Sequence, residues 1–266
     1  MAGFLRTLFG KPAVIAVPTE EDWRSAHDLL VFHGLTSAEF ATLRELAERL
    51  LADKTFTPVS DAELTGFTLA AIASQAALLV LNLGYGWYGI WNEIIVYPEQ
   101  FVPEREITDD FGIVHRVRHP LSGEAWEGGP LILSLDDVAW SGLGDGYNVV
   151  IHEFAHKLDM KNGAVDGMPP LHSDMAPASW SAAFVPAYED FCRRVDRADS
   201  TGEELDIDPY ASESPAEFFA VLTEYFFELP RVLSAEYPAV YAQMRQFYRQ
   251  DPILRLEPAS HDPATS

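Results

Sequence analysis

Between Phe67 and Leu83 the chain is almost wholly apolar, interrupted only by Thr68, Ser74, Gln75 and Asn82. Two structures accommodate such a run: a membrane span, or a helix buried on every side at the centre of a large core. The run is short for a span, carries polar groups in its middle and has no basic flank. We read it as a buried helix. A core that can surround it needs a long chain, and 266 residues, 48% of them hydrophobic, suffice for one large domain or two small ones.

The remaining surface is strongly acidic. Forty-one Asp and Glu against 18 Lys and Arg leave a formal charge of −23, a field that repels phosphate backbones and anionic lipid. Direct binding to nucleic acid or to a membrane surface is therefore not expected, whereas a cationic or mixed-charge protein partner is compatible. The single cysteine, Cys192, rules out an intramolecular disulfide and suits a reducing compartment. It falls among Phe184, Tyr188, Phe191 and Val195 at helical spacing, which marks a packed thiol rather than a nucleophile. Arg6 splits the apolar N-terminal residues, so no signal-peptide core is present and a cytoplasmic protein is expected.

The first ninety residues read as mostly helical, with a helix opening at Ser37-Ala38-Glu39 and the buried helix running from about residue 61 to the glycines at 84, 86 and 89. Glu93–Tyr97, Phe111–Val117 and Leu131–Leu135 are strand candidates, the last a possible edge for an extended peptide. His115 and His119 fall in a segment interleaved with Arg116 and Arg118, a solvated edge rather than a second metal site. Helical patterns dominate from Asn148 to Gln250, with a Gly/Pro/Asp loop at Asn162–Met175. We expect one compact unit: a helical N-terminal part (1–90) packed on a catalytic part (91–257), with a flexible tail (258–266).

The chemistry lies in His152-Glu153-Phe154-Ala155-His156. Asn148 is a good N-cap, and Asn162-Gly163 a good stop, so the pentapeptide sits mid-helix. Residues four apart share a face, so His152 and His156 can offer two imidazole nitrogens to one metal, with the Glu153 carboxylate beside a metal-bound water. A catalytic zinc usually takes a third protein ligand. Asp159 and Asn162 occupy the positions where one extended zincin pattern needs Gly and His, so that class is excluded and a later carboxylate is required. Glu213, Glu217 and Glu224 are the candidates. Glu217 also fits the N3 position of a capping box, Ser214-Pro215-Ala216-Glu217, and Glu224, seven residues on and on the same face, instead fits a supporting partner of a ligand or a surface group. Asp159 either holds a ligand histidine's other nitrogen or ends the helix as a solvated charge.

His152-Glu-Phe-Ala-His-Lys-Leu-Asp159, Asp208-Pro-Tyr-Ala211, Pro215-Ala-Glu-Phe-Phe-Ala-Val221 and Glu224-Tyr-Phe-Phe227, taken in order, resemble the Mlc titration factor A family of bacterial zinc peptidases. The likeness extends to Asn82-Leu83-Gly84 and Trp87-Tyr88. It implies a mostly helical, zincin-like α+β metallopeptidase domain of gluzincin type, with a small β-sheet beside the metal-binding helix. It further implies one zinc held by His152, His156 and Glu217, Glu153 as catalytic base, and Tyr210 as an aid in the transition state. On its residues alone, Tyr210 is equally well a buried side chain at the turn after Asp208-Pro209. The resemblance also implies aminopeptidase-like cleavage of a peptide substrate and binding to a glucose-responsive transcriptional repressor. The rival reading is a non-catalytic regulatory binding protein with a structural zinc.

Overall fold

The computed structural model describes residues 16–99, 104–108, 114–118, 123–125 and 129–256. The apolar run forms helix α3 (Gly66–Leu79), started by Thr65, whose hydroxyl accepts the Thr68 N–H. From Leu69 to Val80 every residue is buried. Its five buried alanines let neighbouring helices approach closely, and α1 (Glu20–His27), α2 (Ser37–Asp53) and α5 (Val149–Asp159) all pack on it. Among the described residues no helix is long and apolar enough to cross a membrane. Helix α2 starts at Ser37 as expected, but its cap is Thr36, in a reciprocal capping box with Glu39.

A four-stranded sheet lies beside these helices in the order β1 (Thr55–Pro58), β2 (Glu93–Tyr97), β6 (Leu131–Ser134), β5 (Gly123–Ala125). The first three are parallel and β5 runs antiparallel to β6. Strands β3 (Glu104–Thr108) and β4 (Val114–Arg118) form a separate hairpin. Thus β2 and β6 stand where the short runs of β-branched and apolar residues place them. The 111–117 candidate corresponds to β4, although 111–113 and His119 lie outside the described residues. Leu135 leaves its strand to begin α4 (Leu135–Trp140), capped by Ser134. Strand β6 is flanked by β2 and β5, so it is not the edge expected to receive a peptide; the outer strand on that side, packed near α5, is β5.

The C-terminal half is helical as expected: α6 (Pro177–Thr201), α7 (Pro215–Glu228), α8 (Pro230–Glu236), α9 (Pro238–Tyr248) and α10 (Pro252–Arg255). Aromatic side chains from α6, α7 and α9 interlock, with Trp180 stacked on Phe184 at 4.1 Å and Phe219 and Phe247 edge-on to each other. Cys192 is half-buried on α6, its Sγ 3.8 Å from the Ser212 carbonyl oxygen. The result is the mostly helical α+β arrangement, with α5 packed against both β5 and α7. Residues 1–15 and the tail 258–266 lie outside the described residues.

Candidate metal centre

Helix α5 begins in a dense set of caps. Asn148 Oδ1 accepts the Ile151 N–H at 2.9 Å and Ser141 Oγ accepts the Val149 N–H at 3.1 Å, both in the buried interior. Of the eleven residues of α5, all but His152 are buried, so the helix is a fixed strut rather than a surface element. At its end Asp159 is buried, not solvated: its Oδ2 accepts the Gly167 N–H at 2.8 Å. Gly167 has φ +77°, and a Cβ there would lie 2.3 Å from the Pro215 carbonyl oxygen. Only glycine lets this loop cross the start of α7.

Three side chains converge between α5 and α7. His152 Nε2 lies 3.0 Å from Glu217 Oε2, His156 Nε2 lies 3.3 Å from the same oxygen, and the two ring nitrogens are 3.2 Å apart. Donor atoms about 2.0–2.1 Å from a tetrahedral zinc stand about 3.3 Å from one another. The group therefore already has the spacing of one face of such a site, and it can hold a metal ion. Ser214 caps α7 through the Glu217 N–H at 3.1 Å, with Pro215 in the first turn. The Glu217 carboxylate, however, does not return to the Ser214 backbone; it faces the histidines. Glu213 is exposed and outside the group.

Glu224, two turns further along α7, is buried and places Oε1 2.8 Å from Nδ1 of His152, while its Oε2 accepts the Asn148 N–H. It is an outer partner of the ring, which leaves Nε2 directed at the shared point. Glu153 is buried, and its charge acts on both His152 and Lys157, whose ammonium donates to the Gly129 carbonyl just before β6 at 2.9 Å. Tyr210 sits on the 3-10 turn Pro209–Ser212, its N–H held by Asp208 Oδ1 at 2.9 Å. It is 42% exposed, not a buried turn residue, and its ring centroid is 6.0 Å from that of His152.

The chain that builds this site has close relatives. The family model described as glucose-regulated metallo-peptidase M90 matches residues 11–249. The chain belongs to that family. Two proteins of Escherichia fergusonii named Mlc titration factor A are 38% and 40% identical to it over 243 residues. These alignments cover 91% of this chain and 91% and 90% of the two relatives. A Yersinia pestis protein of the same name is 38% identical over 236 residues, 88% of this chain and 86% of its own length.

In this M90 member the electrostatics suit a cation. Burial opposes charge on His152, but hydrogen bonds to Glu217 and Glu224 outweigh it and hold the ring protonated well above the usual histidine range. Burial likewise opposes charge on Glu217, yet its bonds to His152 and His156 hold it well below the usual carboxylate range. A proton on His152 thus balances the half-buried Glu217 carboxylate, and a metal ion would replace that proton. Glu228 is pushed up to about 7, chiefly by burial and further by the charges of Asp145 and Glu224. Sequence patterns pointed to none of Asn148's contacts with Glu224, Glu228 and Gln75; the polar Gln75 inside an apolar helix was the one available signal.

Proposed function

We propose that this chain is a zinc-dependent peptidase in which His152, His156 and Glu217 hold the metal and Glu153 and Tyr210 are catalytic residues. The observation that carries the reading is the 3.0–3.3 Å triangle of two Nε2 atoms and one carboxylate oxygen, with Glu153 one helical step from His152. Membership of a metallo-peptidase family supports it. When bound, zinc supplies Lewis acidity and brings the pKa of water from about 15.7 to near 7. Glu153 accepts the proton of the attacking water and returns it to the leaving amine, a role worth about 10²–10⁴-fold. Tyr210, exposed at the edge of the site, donates its phenolic hydrogen to the developing oxyanion. Glu224 keeps the His152 ring oriented. An extended peptide is accommodated along β5, the outer strand near α5, and a free amino terminus on the substrate makes the activity aminopeptidase-like.

The name of the relatives, Mlc titration factor A, favours a second and compatible role: this chain binds a glucose-responsive transcriptional repressor through protein surface. A cytoplasmic location follows from that role. The charge of −23 supports capture of the repressor itself rather than of its DNA.

Hydrolysis of a panel of short chromogenic peptides by zinc-loaded protein, with Glu153→Gln in parallel, tests the enzymatic reading. Turnover that disappears in the variant while zinc stays bound supports it. Bound zinc without turnover in either protein leaves the regulatory role alone, with the metal structural.

A further inference from the structure

Two polar side chains lie within the fully buried stretch of α3. Ser74 turns to α1, with Oγ 3.3 Å from His27 Nε2. Gln75 reaches across the core instead: its Oε1 accepts from Asn148 Nδ2 at 2.6 Å. The other hydrogen of the same Asn148 amide goes to Glu228 Oε1, also at 2.6 Å. Asn148 is thus clamped between α3 and α7 while its Oδ1 caps α5 and its backbone N–H holds Glu224. Gly142, at φ +90°, lets the loop before α5 pass close over the Gln75 amide, where a Cβ would sit 3.1 Å from Oε1.

We infer that Gln75 is a positioning residue for the metal centre: it holds Asn148, Asn148 holds Glu224, and Glu224 holds the ring of His152. The inference rests on the reading of His152 as a metal ligand. The physical case is the dryness of the relay. Gln75 and Asn148 have no exposed surface and Glu224 only 4%, so water cannot substitute for a lost bond. The relay also ties α5 to the helix that carries both Glu217 and Glu224. A loosened Asn148 therefore shifts the two sides of the ligand triangle relative to each other, and metal sites depend on such supporting contacts.

The test is Zn2+ affinity of the full chain, measured by competition with a chromogenic chelator. Gln75→Met, equal in length but unable to accept, is compared with Ser74→Ala, a neighbouring core change outside the relay. We expect roughly tenfold weaker binding for Gln75→Met, in the lower part of the range for lost supporting contacts, and less than about twofold for Ser74→Ala. In a Glu224→Ala background, already about 10–100-fold weaker, Gln75→Met should add nothing, because the two act in series. Should Gln75→Met not fold, Glu228→Met loosens the same amide from the α7 side and is expected to weaken zinc several-fold. Unchanged affinity in the folded Met variant overturns the inference, as does a further tenfold loss in the Glu224→Ala background. A wild-type chain that binds no zinc in this assay instead overturns the metal-centre reading beneath it.

Discussion

Glu224 and Glu217, two turns apart on α7, take the two nitrogens of a single imidazole: Glu224 Oε1 lies 2.8 Å from Nδ1 of His152 and Glu217 Oε2 lies 3.0 Å from Nε2. A spacing of seven residues puts both carboxylates on one helix face. They nevertheless do different work, because only Glu217 also reaches His156.

That division predicts how the three candidate carboxylates separate. Glu217→Ala should abolish stoichiometric zinc binding, while Glu213→Ala, at an exposed position, should leave it unchanged. Metal content after dialysis, read by elemental analysis, decides the matter. Zinc retained at one equivalent in Glu217→Ala would rule out the assignment.

Tyr210→Phe keeps the ring beside His152 and removes only the hydroxyl. Loss of one oxyanion donor typically lowers kcat by about 10²–10³-fold. For a side chain this exposed we expect about 10²-fold, with KM and zinc content nearly unchanged. A variant with wild-type kcat would remove Tyr210 from the catalytic set.

Metal removal should be visible in stability. Zinc at about a hundredfold above its Kd adds about 2.7 kcal/mol to the folded state, or about 5–10 °C in melting temperature for a chain of this size. Thermal melts with and without chelator should show this difference in the wild type and lose it in His156→Ala. Equal shifts in both proteins would place the stabilising ion elsewhere.

Glu228 provides a pH signature away from the ligands. Its folded pKa is raised from 4.5 to about 7, so between those values the folded state holds a proton that the unfolded chain has released. Stability contributed by this group is therefore complete below about 4.5 and is lost as pH rises through about 7. The full displacement is worth on the order of 3 kcal/mol. Urea titrations from pH 4.5 to 8 should show a smaller decline in Glu228→Gln than in the wild type. Parallel curves would mean that Glu228 titrates near its ordinary value.

Much of this architecture was legible from local pattern. The buried α3, the strands β2 and β6, the capped helix α5 and the two histidines on one of its faces all follow from periodicity, capping chemistry and apolar length, which neighbouring residues set among themselves. Strands β1, β3 and β5 were not legible. Thr-Phe-Thr-Pro, Glu-Arg-Glu-Ile-Thr and Gly-Glu-Ala carry little apolar alternation, and they become strands because a partner is placed beside them. The same holds for the mistaken edge: nothing within Leu131–Ser134 announces that Gly123–Ala125 will cover it.

The metal centre divides along that line. The sequence by itself determined that His152 and His156 share a face, that Glu153 stands beside them, and that a carboxylate from a later helix had to complete a site. Three glutamates remained candidates at that level, Glu217 ahead of Glu213 and Glu224, and the family likeness alone settled on Glu217. Tertiary structure decided the rest by distance: it turned Glu217 away from its capping box toward both histidines, assigned Glu224 to the back of His152, left Glu213 in solvent and brought Gln75 to Asn148. The physical reason is that hydrogen bonding and coordination act over about 2–3 Å, between residues some 60 to 80 positions apart in the chain, and only packing of α3, α5 and α7 brings them that close.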